Sequence, residues 1–291
     1  MTLTLGAIYA APQQRREEGS VNIKDKVAII TGAGGGIGQA VAAELCSRGI
    51  KATILVDNNP GVNEVADKIN RMADRRIASV FVGNTTDPEF RKSVYDEAQT
   101  RYGLVSICVP AAGITRDSLA VKLDRTTGKS VIYPVEQFRL VVEVNLIAPV
   151  YWAVEMVGRI AEDRRRRGLG RWEPDEPIQG TAIFIGSVSS LGNRGQIAYA
   201  ATKKGLEAAA KTLMIESMYH GVRCAVIHPG FTDTQMVRSL GDEYIKTKIL
   251  PATQLRRLIK PEEIAHAICF MISNAAVSGE LWADAGWHPC S

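Results

Sequence analysis

The chain has little of what holds small secreted domains or metal centres together. Its 291 residues include five cysteines and four histidines. Cys46, Cys108, Cys224, Cys269 and Cys290 are scattered, odd in number and mostly set in apolar runs, with no CxxC pair and no His-rich cluster. A disulfide framework is excluded, no metal is called for, and buried thiols in a reducing compartment are the direct reading. Charge of either sign is also in short surplus: 35 basic against 31 acidic residues leave +4. Aromatics amount to 6%, and no basic stripe alternates with them, so nucleic acid is not an expected partner. No apolar run reaches the roughly 18–20 residues of a membrane span, so no membrane partner is expected either.

Residues 1–22 lack a basic segment ahead of an apolar core and do not read as a secretion signal. They are expected to form a partly disordered surface extension. A cytoplasmic location follows from the cysteines. The mitochondrial matrix is a second reading, because residues 1–16 lack acid and end in Arg15 and Arg16.

What is present is alternation. VAIIT (27–31) is a short apolar run closed by a glycine-rich turn, and QAVAAELCSRG then carries apolar residues at helical spacing up to Gly49. Strands are predicted at 52–56, from 77, at 104–109, 181–187, 222–230 and 279–283. Helices are predicted at 62–76, 88–101, 135–162, 199–219 and 261–273. This is the rhythm of an α/β, Rossmann-like, doubly wound parallel sheet with helices on both faces. No composition break divides residues 23–291, so one catalytic domain is expected. Two polar segments interrupt it, 123–134 and 163–180, the second opening on Arg164–Arg167, which reads as a solvated helix end. Residues 231–258 follow a strand end and are a candidate substrate lid.

Chemistry concentrates at strand ends. TGAGGGIG supplies Gly32, Gly36 and Gly38 in a G-x-x-x-G-x-G turn between strand and helix, with the helix N-terminus near Ile37 aimed at phosphate. Asp57 ends the next strand about 20 residues on, where a carboxylate can bind both ribose hydroxyls and repel a 2′-phosphate. Asn58 and Asn59 add no positive charge, so NAD is favoured over NADP. Tyr199 and Lys203 stand one helical turn apart, and a lysine so placed favours phenolate and makes a usable acid/base.

These motifs, in this order, resemble the short-chain dehydrogenase/reductase family from about Asp25 to Gly286. The chain looks nearest to the bacterial β-ketoacyl reductase-like branch, through ITRDSL at 114–119, but carries an NAD-type acidic selector. The resemblance implies an adenine contact at Asn84 and Thr85, and a backbone site beside the cofactor at Gly113. It implies a proton-relay role for Asn145 in a helix irregularity. It also implies nicotinamide contacts from Pro229, Gly230, Thr232 and Thr234, and a ribose contact from Lys203. Ser187 matches the substrate-binding serine, with Ser189 and Ser190 as rivals because the serine–tyrosine interval is one residue short. The family's Asn-Asn-Ala-Gly falls on Pro110, Ala111, Ala112 and Gly113, so support for the neighbouring strand must differ there.

The functional expectation is NAD-dependent interconversion of a secondary alcohol and a ketone, with Tyr199 as acid/base. The alternative is an NADPH-dependent carbonyl or 3-oxoacyl reductase. A non-catalytic nucleotide-binding scaffold is the alternative of another class. A homotetramer or homodimer is expected, through apolar residues Val141, Val144, Ile147, Leu206, Leu213 and Ile215 on the long helices. Arg116, Arg194 and Arg238 could meet a carboxylate substrate. His228 is a candidate substrate contact, and the four tryptophans read as packing residues.

Overall fold

The computed structural model describes residues 21–287. Apart from Val21 and Asn22, the N-terminal extension lies outside them, as do His288 and Cys290. The main sheet contains β1 (Val27–Thr31), β2 (Ala52–Asp57), β3 (Ala78–Val82) and β4 (Ile107–Pro110). A separate hairpin, β5 (Val121–Leu123) and β6 (Ser130–Ile132), precedes β7 (Gly180–Ile185), β8 (Val222–Pro229) and β9 (Gly279–Ala283). The sheet order is β3-β2-β1-β4-β7-β8-β9, all parallel. The chain leaves β1 in one direction for β2 and β3, then returns to place β4 on the other side. That reversal opens a crevice at the carboxyl ends of β1 and β4, where such sheets bind ligands.

The central strands β1, β2, β4, β7 and β8 are buried on both faces, and their residues alternate between two cores. Ala28, Ile30, Ile183, Ile185, Ala225 and Ile227 face α1 (Gly36–Ser47), α2 (Val62–Ala73) and α9 (Pro261–Ser273). Val27, Ile29, Ala182, Phe184, Cys224 and Val226 face α3 (Pro88–Tyr102), α5 (Ala148–Arg166) and α6 (Ile197–Ser217). A fully buried Ile or Phe in either layer is worth about 1.5–3 kcal/mol. Asp87 starts α3 by accepting from the Glu89 and Phe90 amides, with Pro88 at its first position.

The predicted helix 135–162 is one continuous rod to Arg166, built of α4 (Val135–Val142), a π-helical turn (Glu143–Ile147) and α5. By length and composition it is apolar enough to cross a membrane, contrary to the expectation that no segment would be. Its inner face explains much of this. Val141, Asn145, Trp152, Met156 and Ile160 are buried against the sheet. Trp152 donates its indole N–H to the Thr85 carbonyl at 2.9 Å, and its own carbonyl accepts from Tyr95 at 2.6 Å. The outer face exposes Leu140, Ile147, Tyr151 and Val154. Of the apolar residues expected to face a partner, Val141, Leu206 and Leu213 are packed inside the subunit instead, while Ile147 and Ile215 are exposed.

Both interrupting segments carry more structure than their polarity suggests. The piece at 123–134 holds most of the β5–β6 hairpin, whose Asp124 carboxylate accepts from the Thr126 and Thr127 amides and fixes the turn. The 163–180 segment corrects the reading of Arg164–Arg167 as a solvated end. Arg165, Arg166 and Arg167 are exposed, but Arg164 is buried and bidentate to Glu176 at 2.6 and 3.0 Å, with a third bond to the Gly170 carbonyl. A guanidinium fork matches one carboxylate and one carbonyl at once, so the loop closes over the helix end. Between 231 and 258, α7 (Gln235–Arg238), α8 (Asp242–Tyr244) and a π turn (Ile245–Ile249) form a cap anchored by buried Ile245 and Ile249.

The Arg164 hydrogen bond holds the Glu176 carboxyl down to about 2. The pair therefore stabilises the fold above the ordinary carboxylate range, about pH 4.3, and that contribution vanishes as pH falls towards 2. Urea denaturation should show Glu176→Gln less stable than wild type at neutral pH, with the gap closing on acidification. A pH-independent gap would contradict the clasp.

Candidate active site

The nucleotide end is built from backbone. A Cβ on Gly38 would stand 2.3 Å from the Gly32 carbonyl oxygen, so only glycine lets α1 start this close to β1. Gly36 has φ +53°, and a Cβ there would meet Thr234 at 3.1 Å. Gly35 has open space above it, and the first turn of α1 carries no acidic residue. Gly32 lies against the backbone of Ala112. At the side of the turn, Asp57 accepts from the Gly34 amide at 2.8 Å and the Asn59 amide at 2.9 Å. An open helix N-terminus flanked by a strand-end carboxylate fits a dinucleotide, pyrophosphate on the amides and ribose beside Asp57.

Asn84 is exposed beside this crevice. Its Oδ1 is engaged by the Thr86 amide and hydroxyl, so a contact with adenine falls to Nδ2. Thr85 is buried and contributes its carbonyl to Trp152. The changed 110–112 segment finds support from Thr31. The Thr31 carbonyl accepts from the Ala111 amide and its hydroxyl from the Ala112 amide, each at 3.2 Å. Gly113 follows, and a Cβ there would approach Asn145 Oδ1 at 3.4 Å and Lys203 Nζ at 3.9 Å.

Asn145, Ser187, Tyr199 and Lys203 come from three elements and meet at the crevice. Asn145 sits in the π turn, fully buried, and both accepts from and donates to the Ile114 backbone at 2.8 Å. A π turn leaves room in the helix ladder, and such turns favour functional sites. Ser187 follows β7, and its hydroxyl accepts from the Ser189 amide at 3.1 Å and lies near enough to the Tyr199 phenol to favour its ionised form. That contact distinguishes Ser187 from its rivals; Ser190 has a buried hydroxyl without a hydrogen bond. Lys203 donates to the Ile185 carbonyl at 2.7 Å, and its ammonium lies 5.3 Å from the Tyr199 ring centre. Lys204 points outward to Glu207, as its helix position requires.

Electrostatics here depart from the sequence reading, in which Lys203 lowers the phenol. Burial instead pushes Tyr199 up to about 12, against the Ser187 hydrogen bond and with nearby Asp117 adding to it. Burial pushes Lys203 down to about 8. Tyr199 is half-buried on the cavity wall, and desolvation of the phenolate is the largest cause of its rise.

Pro229 ends β8, and Gly230 lies against Asp284. Thr232 is buried, bridges to Ile259 and donates to the Gly230 carbonyl at 3.1 Å. Thr234 caps α7 through its hydroxyl. Between this strand end and Tyr199 lies a cavity walled by Ile37, Thr232, Thr234, Phe231, Val237 and Leu240. Residues that motif reading missed also line it. Gln196 donates to Asp117 at 2.7 Å and accepts from Asn193 at 2.9 Å. Burial raises the Asp117 carboxyl against the pull of that donor. Only its place within ITRDSL hinted at Asp117. Arg238 is committed to Asp233 and Arg116 to a neighbouring carbonyl. His228 is fully buried and stacked on Trp282 at 4.2 Å, so it does not face the cavity as a substrate contact.

The sheet order and glycine turn define a nucleotide-binding Rossmann-like domain with a polar constellation at its switch point. The short chain dehydrogenase family model matches residues 26–245, and the chain belongs to that family. It is 32% identical over 263 residues to the 3-oxoacyl-[acyl-carrier-protein] reductase FabG of Escherichia coli, covering 89% of this chain and 96% of that protein. It is 30% identical over 273 residues to the acetoacetyl-CoA reductase of Synechocystis, covering 92% and 98%. A short-chain type dehydrogenase/reductase from Mycobacterium marinum superposes with a TM-score of 0.77 at 23% identity, covering 93% of this chain and 98% of that one, which supports the fold. The protein is thus an oxidoreductase of the carbonyl–alcohol type that binds a nicotinamide dinucleotide.

Replacing Gly36 by Val puts a branched side chain at positive φ against Thr234 and over the anion cradle. Nucleotide affinity, read by protein fluorescence, should fall by about tenfold or more, while Tyr199→Phe should bind as wild type. Equal affinity in the glycine variant would mean that the nucleotide lies elsewhere.

Proposed function

We propose that the protein reduces the ketone of a 3-oxoacyl-type substrate to a secondary alcohol, the reaction of the reading held second on sequence, which paired it with NADPH. The observation that carries it is that Tyr199 and Ser187 line one cavity side by side, with the phenol held protonated by burial. A protonated phenol facing the cavity can give its proton to a ketone oxygen, as reduction requires; the same groups serve the reverse reaction, so the relatives carry the choice of direction. The names of the two reductase relatives support the same direction. Apolar Phe231, Val237 and Leu240 offer an acyl chain a wall.

A nicotinamide dinucleotide bound in the crevice supplies the hydride. Ser187 and Tyr199 orient the carbonyl oxygen between their hydroxyls, and Tyr199 gives it a proton as charge develops there. Lys203 holds positive charge below the tyrosine, and Asn145 fixes the Ile114 backbone beside it. Ser187 and Tyr199 on the cavity wall, with Lys203 and Asn145 close behind them near Gly113, favour catalysis over the scaffold reading. For the cofactor, Asp57 at the turn supports NAD(H) over NADP(H). We also propose a homo-oligomer joined through the exposed apolar side of α4 and α5; light scattering at micromolar concentration should show no monomer.

Tyr199→Phe should lose turnover of acetoacetyl thioesters by orders of magnitude and keep nucleotide binding. Near-wild-type turnover would sink the mechanism. The wild-type rate of reduction should decline above about pH 8 as Lys203 gives up its proton. A rate still climbing there would show that its charge is not needed. In parallel titrations NADH should bind tighter than NADPH, and Asp57→Ala should narrow the difference. Tighter NADPH binding by wild type would leave the reductase reading intact and remove Asp57 as selector.

A further inference from the structure

Directly behind Ser187, on the side away from the cavity, three ligating side chains from three elements converge. Glu207 lies on α6, one turn past Lys203 and on the same inward face. His228 is at the end of β8, and Glu280 is on the edge strand β9. One donor atom from each, Glu207 Oε1, His228 Nε2 and a Glu280 carboxylate oxygen, lies within 4.8 Å of the others. His228 Nε2 is 3.4 Å from Glu280 Oε2 and 3.8 Å from Glu207 Oε1. His228 is fully buried and Glu207 is 4% exposed, yet neither Nε2 nor Oε1 makes a hydrogen bond. Buried polar atoms rarely go without hydrogen bonds, and these two face one point with Glu280 as the nearest charged partner of the imidazole.

A proton on Nε2 can address Glu280 but leaves Glu207 Oε1 beyond hydrogen-bond reach. A small divalent ion can bind all three. For bonds of about 2.0–2.1 Å in a tetrahedral site, neighbouring donors stand about 3.4 Å apart. The two separations from His228 are 3.4 and 3.8 Å, close to that figure, and the two carboxylate oxygens lie within 4.8 Å of each other. The outer oxygens of the carboxylates are held by Lys204 on Glu207 at 2.5 Å and Lys211 on Glu280 at 3.0 Å. Both lysines are largely exposed, so these pairs are weak and leave the inner oxygens available. A narrow cleft lined by Glu207, Met214, Gly279 and Glu280 gives access from the α6–β9 side.

We propose that Glu207, His228 and Glu280 form a zinc-type divalent metal site with three protein donors and one position open to water. Its link to Ser187 runs through the other ring nitrogen. His228 Nδ1 is 3.3 Å from the Ser187 amide nitrogen and 3.2 Å from the Ser187 carbonyl oxygen. With Nε2 carrying hydrogen, Nδ1 accepts from the amide. With Nε2 on a metal, Nδ1 carries the hydrogen and donates to the carbonyl, the usual outer contact of a metal-bound imidazole. Metal occupancy thus exchanges which backbone group of Ser187 is held. Gly186 makes this approach possible, since a Cβ there would stand 2.5 Å from Nδ1.

The test is calorimetric titration of the chelator-stripped full chain with zinc chloride at neutral pH, without substrate or nucleotide. One zinc per chain should bind. Glu207→Gln and Glu280→Gln should each weaken it by about tenfold or more, with unchanged circular dichroism. Cys290→Ser, which removes the terminal thiol, should leave it intact. No binding, binding indifferent to both glutamines, or binding lost with Cys290 would each overturn the site. Because the readout is zinc alone, failure here is separate from failure of the reductase reading.

Discussion

The Lys203 ammonium, buried against the Ile185 carbonyl, ties α6 to the last residue of β7. An amino group taken this far from water must find an acceptor, and a strand end offers one because its terminal carbonyl leaves the ladder. That bond, together with the packing of Leu206, Ala210 and Leu213 in the core below it, holds the height of α6 along the sheet. Tyr199 then falls one turn up, beside Ser187, two residues past the strand. Glu207 falls one turn down, beside His228. The constellation proposed for catalysis and the buried acidic cluster behind it share one register between helix and strand.

The same dryness that fixes the register governs the chemistry. A phenol and an amine share a poorly solvated place, and burial moves them in opposite directions, each towards its neutral form. The site at rest is therefore nearer to a proton donor over a readily titrated amine than to a phenolate–ammonium pair. Spacing along a helix shows that two groups can meet. It does not show how much water they keep, and water decided the direction of the shift.

Much of the architecture was legible for reasons of periodicity. Strands buried on both faces give unbroken apolar runs, and 261–273 was readable because Pro261, Glu262 and Glu263 mark its first turn, with a short strand read near 279–283. The glycine turn and the Tyr-Lys pair were legible because each needs fixed local spacing. What stayed hidden was long-range. Nothing in RRRR says that its first arginine alone turns inward to Glu176, or that Val141 and Leu206 pack within the subunit while Ile147 does not. The Asp117–Gln196–Asn193 chain and the Glu207–His228–Glu280 cluster join distant segments and have no motif. The hairpin at 121–132 was obscured because its apolar residues face outward, where burial gives no pattern to read.

The π turn at Glu143–Ile147 has a geometric consequence for the rod it interrupts. A π turn amounts to one residue inserted into an α-helix, and one residue is about 100° of rotation. The inward faces of α4 and α5 are therefore out of phase by roughly a quarter-turn, though the two share one axis. This lets a straight segment lay α4 beside α6 and α5 on the sheet, which no unbroken heptad could do. Any insertion or deletion between Val142 and Ala148 changes this phase. It would turn every downstream side chain of α5 to a new azimuth, Trp152 and Arg164 included, while leaving the helix itself intact.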